Sequence, residues 1–446
     1  MSDRPGAIAL TPLLLFLTLF LGAGVYYTVL GTELGFYQLR APVAILPALA
    51  LGAWLTWRRG LPALDTLLGG MGHPNVMLMC LVFLLAGAFA TVSRQIGAVD
   101  AVVALGLGLL PAPLVLPGLF LVAGFVALAV GTSMGTIAAV TPIALGVAEA
   151  AGMDRALVVG AVVGGAMFGD NLSIISDTTI AATRSQGVGM RDKFRENFRI
   201  AVPAALATAA LLAVLGQSAE VQAPAAASPW LAVPYLLVLG LAVAGVNVVL
   251  VLGIGIAFAG LLGFAMAPGY DLPQLAGDIW LGYEGMVEIT LLSILIGGLA
   301  ALTRALGGLD WIAATIARMA GARTGRRAGE LGIATLAAGT DALTANNTVA
   351  ILVSGPLARD IAVRHAVAPR RAASLLDIFA CVLQGVLPYG AQILLAASLA
   401  ALSPLQLAGR IHYCWILALV ALGFILWPGR GRARPVELAG ATVDSP

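Results

Sequence analysis

From residue 7 to residue 427 this 446-residue chain is one apolar run after another, most of them near the length a helix needs to cross a bilayer. About 30 Å of hydrocarbon takes roughly 20 helical residues, and in lipid only helices or closed barrels satisfy every backbone N–H and C=O. The runs lack the short alternation of barrel strands. Charged side chains make up 10% of the chain and the mean hydropathy is +0.99, whereas soluble domains carry roughly 25% charged residues. The class is therefore an all-α polytopic membrane protein, with membrane lipid as its first partner. A formal charge of +2 and the lack of a long basic tract argue against nucleic acid. Cys80, Cys381 and Cys414 fall in apolar runs without metal-ligand spacing, so buried structural thiols are expected rather than a disulfide framework. The first run exceeds the core of a signal peptide and reads as an uncleaved span.

Eight runs read as simple spans: 7–30, 41–57, 76–93, 199–216, 229–247, 248–265, 286–303 and 411–427. Two further regions, 114–183 and 329–402, are apolar but interrupted by Gly, Pro and polar residues. Each is expected to hold a re-entrant helical hairpin, at 114–150 and 329–357, followed by a discontinuous spanning helix, at 156–183 and 373–402. Broken backbone at that depth is tolerated only against protein or water. Loop charge sets the orientation. Arg58 and Arg59, the cluster Arg184, Arg191, Lys193, Arg195 and Arg199, the run Arg318, Arg323, Arg326 and Arg327, and the tail Arg430, Arg432 and Arg434 mark the cytoplasmic side. The loops 217–228 and 268–285 contain acids and no Lys or Arg, so they belong outside.

About ten crossings satisfy these constraints, put both termini in the cytoplasm of a cell inner membrane, and leave Arg94 and Arg155 outside. Two inverted-topology repeats produce that exception: 1–216 and 229–428, joined by an external linker at 217–228 and followed by a tail at 429–446. Gly87, Ala90, Arg94, Gly97 and Asp100 match Gly297, Ala300, Arg304, Gly307 and Asp310 at an offset of 210. Gly131-Thr132 matches Gly339-Thr340 at 208, and Gly169 matches Gly385 at 216. Chance likeness among Gly- and Ala-rich helices is the competing explanation; the shared Arg-x-x-Gly-x-x-Asp ending argues against it. Paired broken helices in inverted halves place a substrate site near the midplane.

Polar residues at such depth are expensive, about 2.5–3.5 kcal/mol for an Asp at a helix centre, and usually mark an ion or substrate path. The first hairpin is expected to turn over 131–136, where Thr132, Ser133 and Thr136 offer hard oxygen ligands, or else a close contact between small residues. In the following broken helix Asp170 and Asp177 stand seven residues apart, on one side of an unbroken helix. Asn171, Ser173, Ser176, Thr178 and Thr179 surround them with further oxygens, although either Asp alone could cap a half-helix. The second half offers 339–341, with Asp341, and then Thr344, Asn346, Asn347 and Thr348 at its hairpin turn. Its broken helix carries Asp377, Gln384, Tyr389 and Gln392, with the break at 388–390. Asn346 and Asn347 suit a carboxylate, an amino acid or an ion, and equally a pair of helix caps. Asp377, just after Arg370 and Arg371, fits an interfacial ion pair as well as a transport role. Glu149, Glu284, Glu288 and Glu330 read as solvated or headgroup-level residues. His73, His365 and His412 are too scattered for a metal site, and no Walker motif or nucleophile-base pair points to ATP-driven transport or an enzyme.

The run Gly169-Asp170-Asn171-Leu172-Ser173-x-x-Ser176-Asp177-Thr178-Thr179 resembles the signature of the NhaC-type Na⁺/H⁺ antiporter family of the wider ion-transporter superfamily. Gly131-Thr132-Ser133, Asp341, Asp377 and Pro388-Tyr389-Gly390 resemble its other polar segments more weakly. The chain departs from the family pattern at Asn171, where a basic residue is often expected, and at Pro388-Tyr389. The resemblance implies a secondary antiporter with hairpin-bearing mobile regions against a scaffold. The paired aspartates, the hydroxyl cluster and the inverted repeat lead to the expectation of a Na⁺/H⁺ antiporter without a cofactor, in which Asp170 and Asp177, with or without Asp341, bind H⁺ or Na⁺ in competition. The alternative is a Na⁺- or H⁺-coupled carrier of carboxylates or amino acids. Many carriers with this plan are homodimers.

Overall fold

In the computed structural model the described residues are 7–32, 38–101, 104, 111–174, 176–216, 228–244, 246–311, 314–315 and 325–426. Nine helices among them are long and apolar enough to cross a membrane, and no strand occurs among them. The expected tail, nearly all of the 217–228 linker, and Arg318 and Arg323 lie outside the described residues.

The chain opens with α1 (Thr11–Val29), α2 (Leu46–Arg58), α3 (Ala63–Met71) and α4 (Pro74–Gln95). A first series follows: α5 (Ala112–Val130), α6 (Ser133–Ala150), α7 (Arg155–Leu172) and α8 (Asp177–Gln186), then α9 (Met190–Leu215). Next come α10 (Val233–Val243), α11 (Val248–Met266) and α12 (Leu272–Ala305). They lead to a second series: α13 (Arg326–Thr344), α14 (Asn347–Arg364), α15 (Pro369–Val386) and α16 (Ala391–Ala400), then α17 (His412–Leu426).

The two series share their dimensions. α5 and α13 have 19 residues, α6 and α14 18, α7 and α15 18, and α8 and α16 10. Their starts, Ala112 and Arg326, Ser133 and Asn347, Arg155 and Pro369, Asp177 and Ala391, differ by 214 every time. The residue matches at 208 and 216 miss this register. Gly131 stands opposite Ala345 rather than Gly339, which lies inside α13, and Gly385 stands opposite Asn171. The 210 match holds upstream, where α4 and α12 carry Arg94 and Arg304 in their last turns and are followed by Gly97 and Gly307, both at φ 79°.

Local chemistry explains the joints. Gly131 (φ 74°) ends α5 in the left-handed region that glycine enters freely, and Ala345 (φ 47°) makes the same turn at the cost of its Cβ. Asn346 then caps α14, its side chain accepting the Val349 N–H at 3.0 Å. In the first break Ser176 caps α8 through the Thr179 N–H at 3.2 Å. In the second, Pro388 withholds an N–H and pushes Leu387 to extended geometry (ψ 114°).

The two broken segments are the best enclosed, 88% and 89% buried in their most apolar stretches against 33% to 39% for α1, α9, α11 and α12. Protein therefore surrounds the freed backbone groups, as hydrocarbon could not. Close contact between α7 and α5 needs glycine: a Cβ on Gly165 would sit 2.1 Å from the Phe120 carbonyl oxygen, and one on Gly169 2.1 Å from that of Gly124. α8 packs on α14 and α15, while α16 packs on α6 and α7, so each series reaches across to the other. Leu14, Phe125, Leu206, Leu261, Leu352 and Leu419 stay exposed around the outside, an apolar belt suited to lipid.

Three further expectations change. α12 begins at Leu272 rather than at residue 286, so most of the loop expected at 268–285 is helical. α9 begins at Met190 rather than at residue 199, which carries Lys193 into the interior, 1% exposed, instead of a cytoplasmic loop. Glu330 is 2% exposed rather than solvated, because Arg326 (2.7 Å) and Arg371 (3.3 Å) close over it.

Candidate functional site

A cavity of about 370 Å³ opens where the two interhelical turns and the two breaks meet. The first series lines it with Gly131, Thr132, Ser133, Met134, Asp170, Asp177 and Thr178. The second series contributes Ala345, Asn346, Asn347, Thr348, Gln384, Ala391 and Gln392, and Asn75 and Asn247 help complete the wall.

Asp170, 4% exposed, occupies the last turn of α7. Its Oδ2 accepts a hydrogen bond from Ser133 Oγ at 3.1 Å. Gln392 Nε2 donates to that same Ser133 Oγ at 3.2 Å, and Gln384 Nε2 donates to Gln392 Oε1 at 2.6 Å and to the Ala345 carbonyl at 3.2 Å. A directed relay thus runs from α15 through α16 and α6 to the carboxylate on α7. Asp177 opens α8 and is exposed along the cavity, at the positive end of that helix, where a carboxylate is favoured.

Thr178 also lines the cavity, whereas Asn171, Ser173, Ser176 and Thr179 are not part of its wall. Asn171 Nδ2 donates to the Tyr413 hydroxyl at 3.3 Å, and its carbonyl accepts from Lys193 Nζ (3.1 Å) and Asn197 Nδ2 (2.8 Å). Ser173 Oγ donates to the Leu128 carbonyl, Ser176 Oγ bonds Thr178 and Thr179, and Thr179 Oγ1 donates to the Ser173 carbonyl at 2.7 Å. Lys193 Nζ also reaches Thr179 Oγ1 at 2.6 Å and Asp377 Oδ2 at 2.8 Å. Asn197 Nδ2 donates to the same Asp377 oxygen at 2.7 Å. Asp377, fully buried, is therefore paired with Lys193, not with Arg370 or Arg371, whose carboxylate partners are Glu196 and Glu330.

Three more candidates stand outside the cavity wall. Thr136 bonds its own helix at the Thr132 carbonyl. Tyr389 sits in the second break, its hydroxyl donating to the Ala342 carbonyl at 2.5 Å and its ring edge-on to Phe16. Asp341 is completely buried in α13, and neither carboxyl oxygen has a hydrogen-bond partner among the described residues. Asn347 meets the cavity and bonds Cys381 Sγ weakly at 3.8 Å. Among the described residues no three His, Cys, Asp or Glu side chains group to hold a metal.

Sequence reasoning passed over Lys193 and Asn197 because they sit in a basic cluster. One signal was present: Lys193 is the single lysine in a chain otherwise supplied with arginine. An ammonium is a compact charge with three donors, and Asn197 four residues on shares its helix face.

Comparison with known proteins adds sequence relationships to this geometry. The Na⁺/H⁺ antiporter family matches residues 64–217 and 218–427. The Na⁺/H⁺ antiporter NhaC of Bacillus subtilis is 29% identical over 315 residues, 64% of this chain and 68% of that protein. The arginine/ornithine antiporter ArcD of Halobacterium salinarum is 27% identical over 345 residues, 67% and 68% of the two chains. A malate-2H⁺/Na⁺-lactate antiporter of Bacillus subtilis shares 29% identity over 145 residues, 32% and 31% of the two chains.

Proposed function

The chain belongs to the Na⁺/H⁺ antiporter family, and from that membership and the position of Asp170 we propose that it is a secondary antiporter exchanging a monovalent cation, Na⁺ first, for protons. The observation that carries the reading is a buried carboxylate in the wall of a cavity bounded by two broken helices. Burial disfavours the charged form of a carboxylate and a neighbouring cation favours it, so an arriving Na⁺ displaces a proton from the same group. Asp177 draws the cation in at the more open part of the wall. Ser133, Thr132 and Thr178 supply neutral oxygens beside it.

The described lining residues include two carboxylates and no Lys, Arg or His, which favours a cation over a carboxylate solute. Asn171, Ser173, Ser176 and Thr179 hold the break in shape rather than touching the ion. The two series act as inverted halves in an inner membrane, with ten crossings and both termini cytoplasmic. Two separate groups of ion pairs fit that orientation. Arg326, Glu330, Arg371, Arg370 and Glu196 form the cytoplasmic group, and Arg155 with Glu149 and Arg410 with Asp154 form the external one.

Purified protein in vesicles should dissipate an imposed pH gradient when Na⁺ or Li⁺ is added, and Asp170→Asn should abolish the response. A gradient insensitive to Na⁺, Li⁺ and K⁺ would refute the proposal. Accumulation of a labelled dicarboxylate or amino acid in its place would establish the coupled-carrier alternative.

A further inference from the structure

We propose that Gln384 is a further cation-binding side chain, the counterpart in the second series of Asp170 in the first, and that its Oε1 engages Na⁺ or Li⁺ during exchange. The proposal rests on the reading of the cavity as the transport site. Its first support is the register. All seven cavity-lining residues of the first series lie 214 positions before the seven of the second: 131–134 against 345–348, Asp170 against Gln384, and 177–178 against 391–392. The cavity therefore has two matching walls. They differ in charge, because Asp170 and Asp177 on one wall face Gln384 and Ala391 at the corresponding places on the other.

The second support is an unanswered acceptor. Gln384 is 1% exposed, and its amide orientation is fixed, since Nε2 donates to both Gln392 Oε1 and the Ala345 carbonyl. Oε1 is then buried with no donor among the described residues. The three bonds that link Gln384, Gln392, Ser133 and Asp170 are all donated toward Asp170, so the relay presents an acceptor oxygen at each end: a carboxylate on α7 and an amide carbonyl on α15. Buried acceptors without donors call for an explanation, and a carbonyl oxygen is a hard ligand of the kind that replaces the hydration shell of an alkali cation. A cation in this cavity has charged positions on the first wall, at Asp170 and Asp177, and a neutral one at Gln384 on the second, from which release is easier.

The competing role for Gln384 is purely positional: it steadies Gln392, and through it Ser133 and Asp170. Gln384→Glu and Gln384→Leu separate the two. Neither can donate two N–H bonds, so a positional role makes both behave alike. As a cation ligand, Gln384→Leu should raise the apparent KM for Na⁺ about tenfold, the loss expected when one bond to a charged group is removed. Gln384→Glu should instead lower that KM, change the Na⁺/Li⁺ preference and make exchange sensitive to Ca²⁺, because a third carboxylate then joins Asp170 and Asp177 in the cavity wall. Gln384→Asn, which keeps the amide but withdraws the oxygen, should fall between them and keeps the test open if the leucine variant does not fold. Equal losses of maximal rate in the Glu and Leu variants, with KM and ion preference unchanged, would overturn the proposal while leaving the antiport reading intact. Absence of Na⁺-driven exchange in the unaltered protein would overturn both.

Discussion

Lys193→Met is the perturbation whose cost follows most directly from the geometry. The ammonium uses its three donors on Asp377 Oδ2 (2.8 Å), the Asn171 carbonyl (3.1 Å) and Thr179 Oγ1 (2.6 Å), and the ion pair is sealed, with side-chain exposures of 1% and 0%. Methionine fills a similar volume but leaves Asp377 with the Asn197 amide alone, on the oxygen that already has a partner. Breaking one partner out of a buried pair costs about 3–5 kcal/mol, most of it the penalty of an uncompensated charge. Removing both charges, in Lys193→Met with Asp377→Asn, eliminates that penalty and loses only the two neutral bonds, roughly 1–2 kcal/mol. The two sites should therefore be strongly coupled, with the double variant more stable than Lys193→Met alone. Denaturant titration in mixed micelles, followed by tryptophan fluorescence on all four proteins, reads the cycle. A Lys193→Met loss under about 1 kcal/mol, or a double-variant loss equal to the sum of the singles, would refute the claim of a structural charge pair between the series.

Three further outcomes are expected. Gly169→Ala should lower apparent Na⁺ affinity and expression together, because the added Cβ meets the Gly124 carbonyl at 2.1 Å and displaces the residue before Asp170; initial rates against Na⁺ concentration check this. Ala345→Gly should stabilise the protein by about 1 kcal/mol by relieving the left-handed φ of 47°, read in the same micelle titration. Since H⁺ and Na⁺ contend for one carboxylate, the apparent KM for Na⁺ should rise as pH falls while the maximal rate stays level, and a KM independent of pH would contradict shared binding.

Much of the fold was legible because hydrocarbon thickness forces helix length, and because Gly, Pro and clustered polar residues have few tolerable places in a membrane. The polar run around Asp170 was recognisable as a break for that reason. Its division into a cavity face and a scaffold face was not. Residues 173, 174 and 176 leave helical geometry, so the angular phase that would assign Asp177 relative to Asp170 is lost there. Lys193 was misplaced because loop-charge statistics treat every cation near a span as solvated, and a buried partner 184 residues away leaves no local trace. The register of the two series escaped for a different reason: small residues recur so densely that offsets of 208 and 216 match as well as 214, and only the shared helix lengths choose between them.

The central claim is that one buried carboxylate accepts either a proton or Na⁺. Adding NaCl to the purified protein in weakly buffered detergent solution, with a pH indicator present and choline chloride as the ionic-strength control, measures this exchange without any transport step. Proton release that saturates with Na⁺ and disappears in Asp170→Asn is the predicted result. Na⁺ binding without proton release, or release that persists undiminished in Asp170→Asn, would contradict the account.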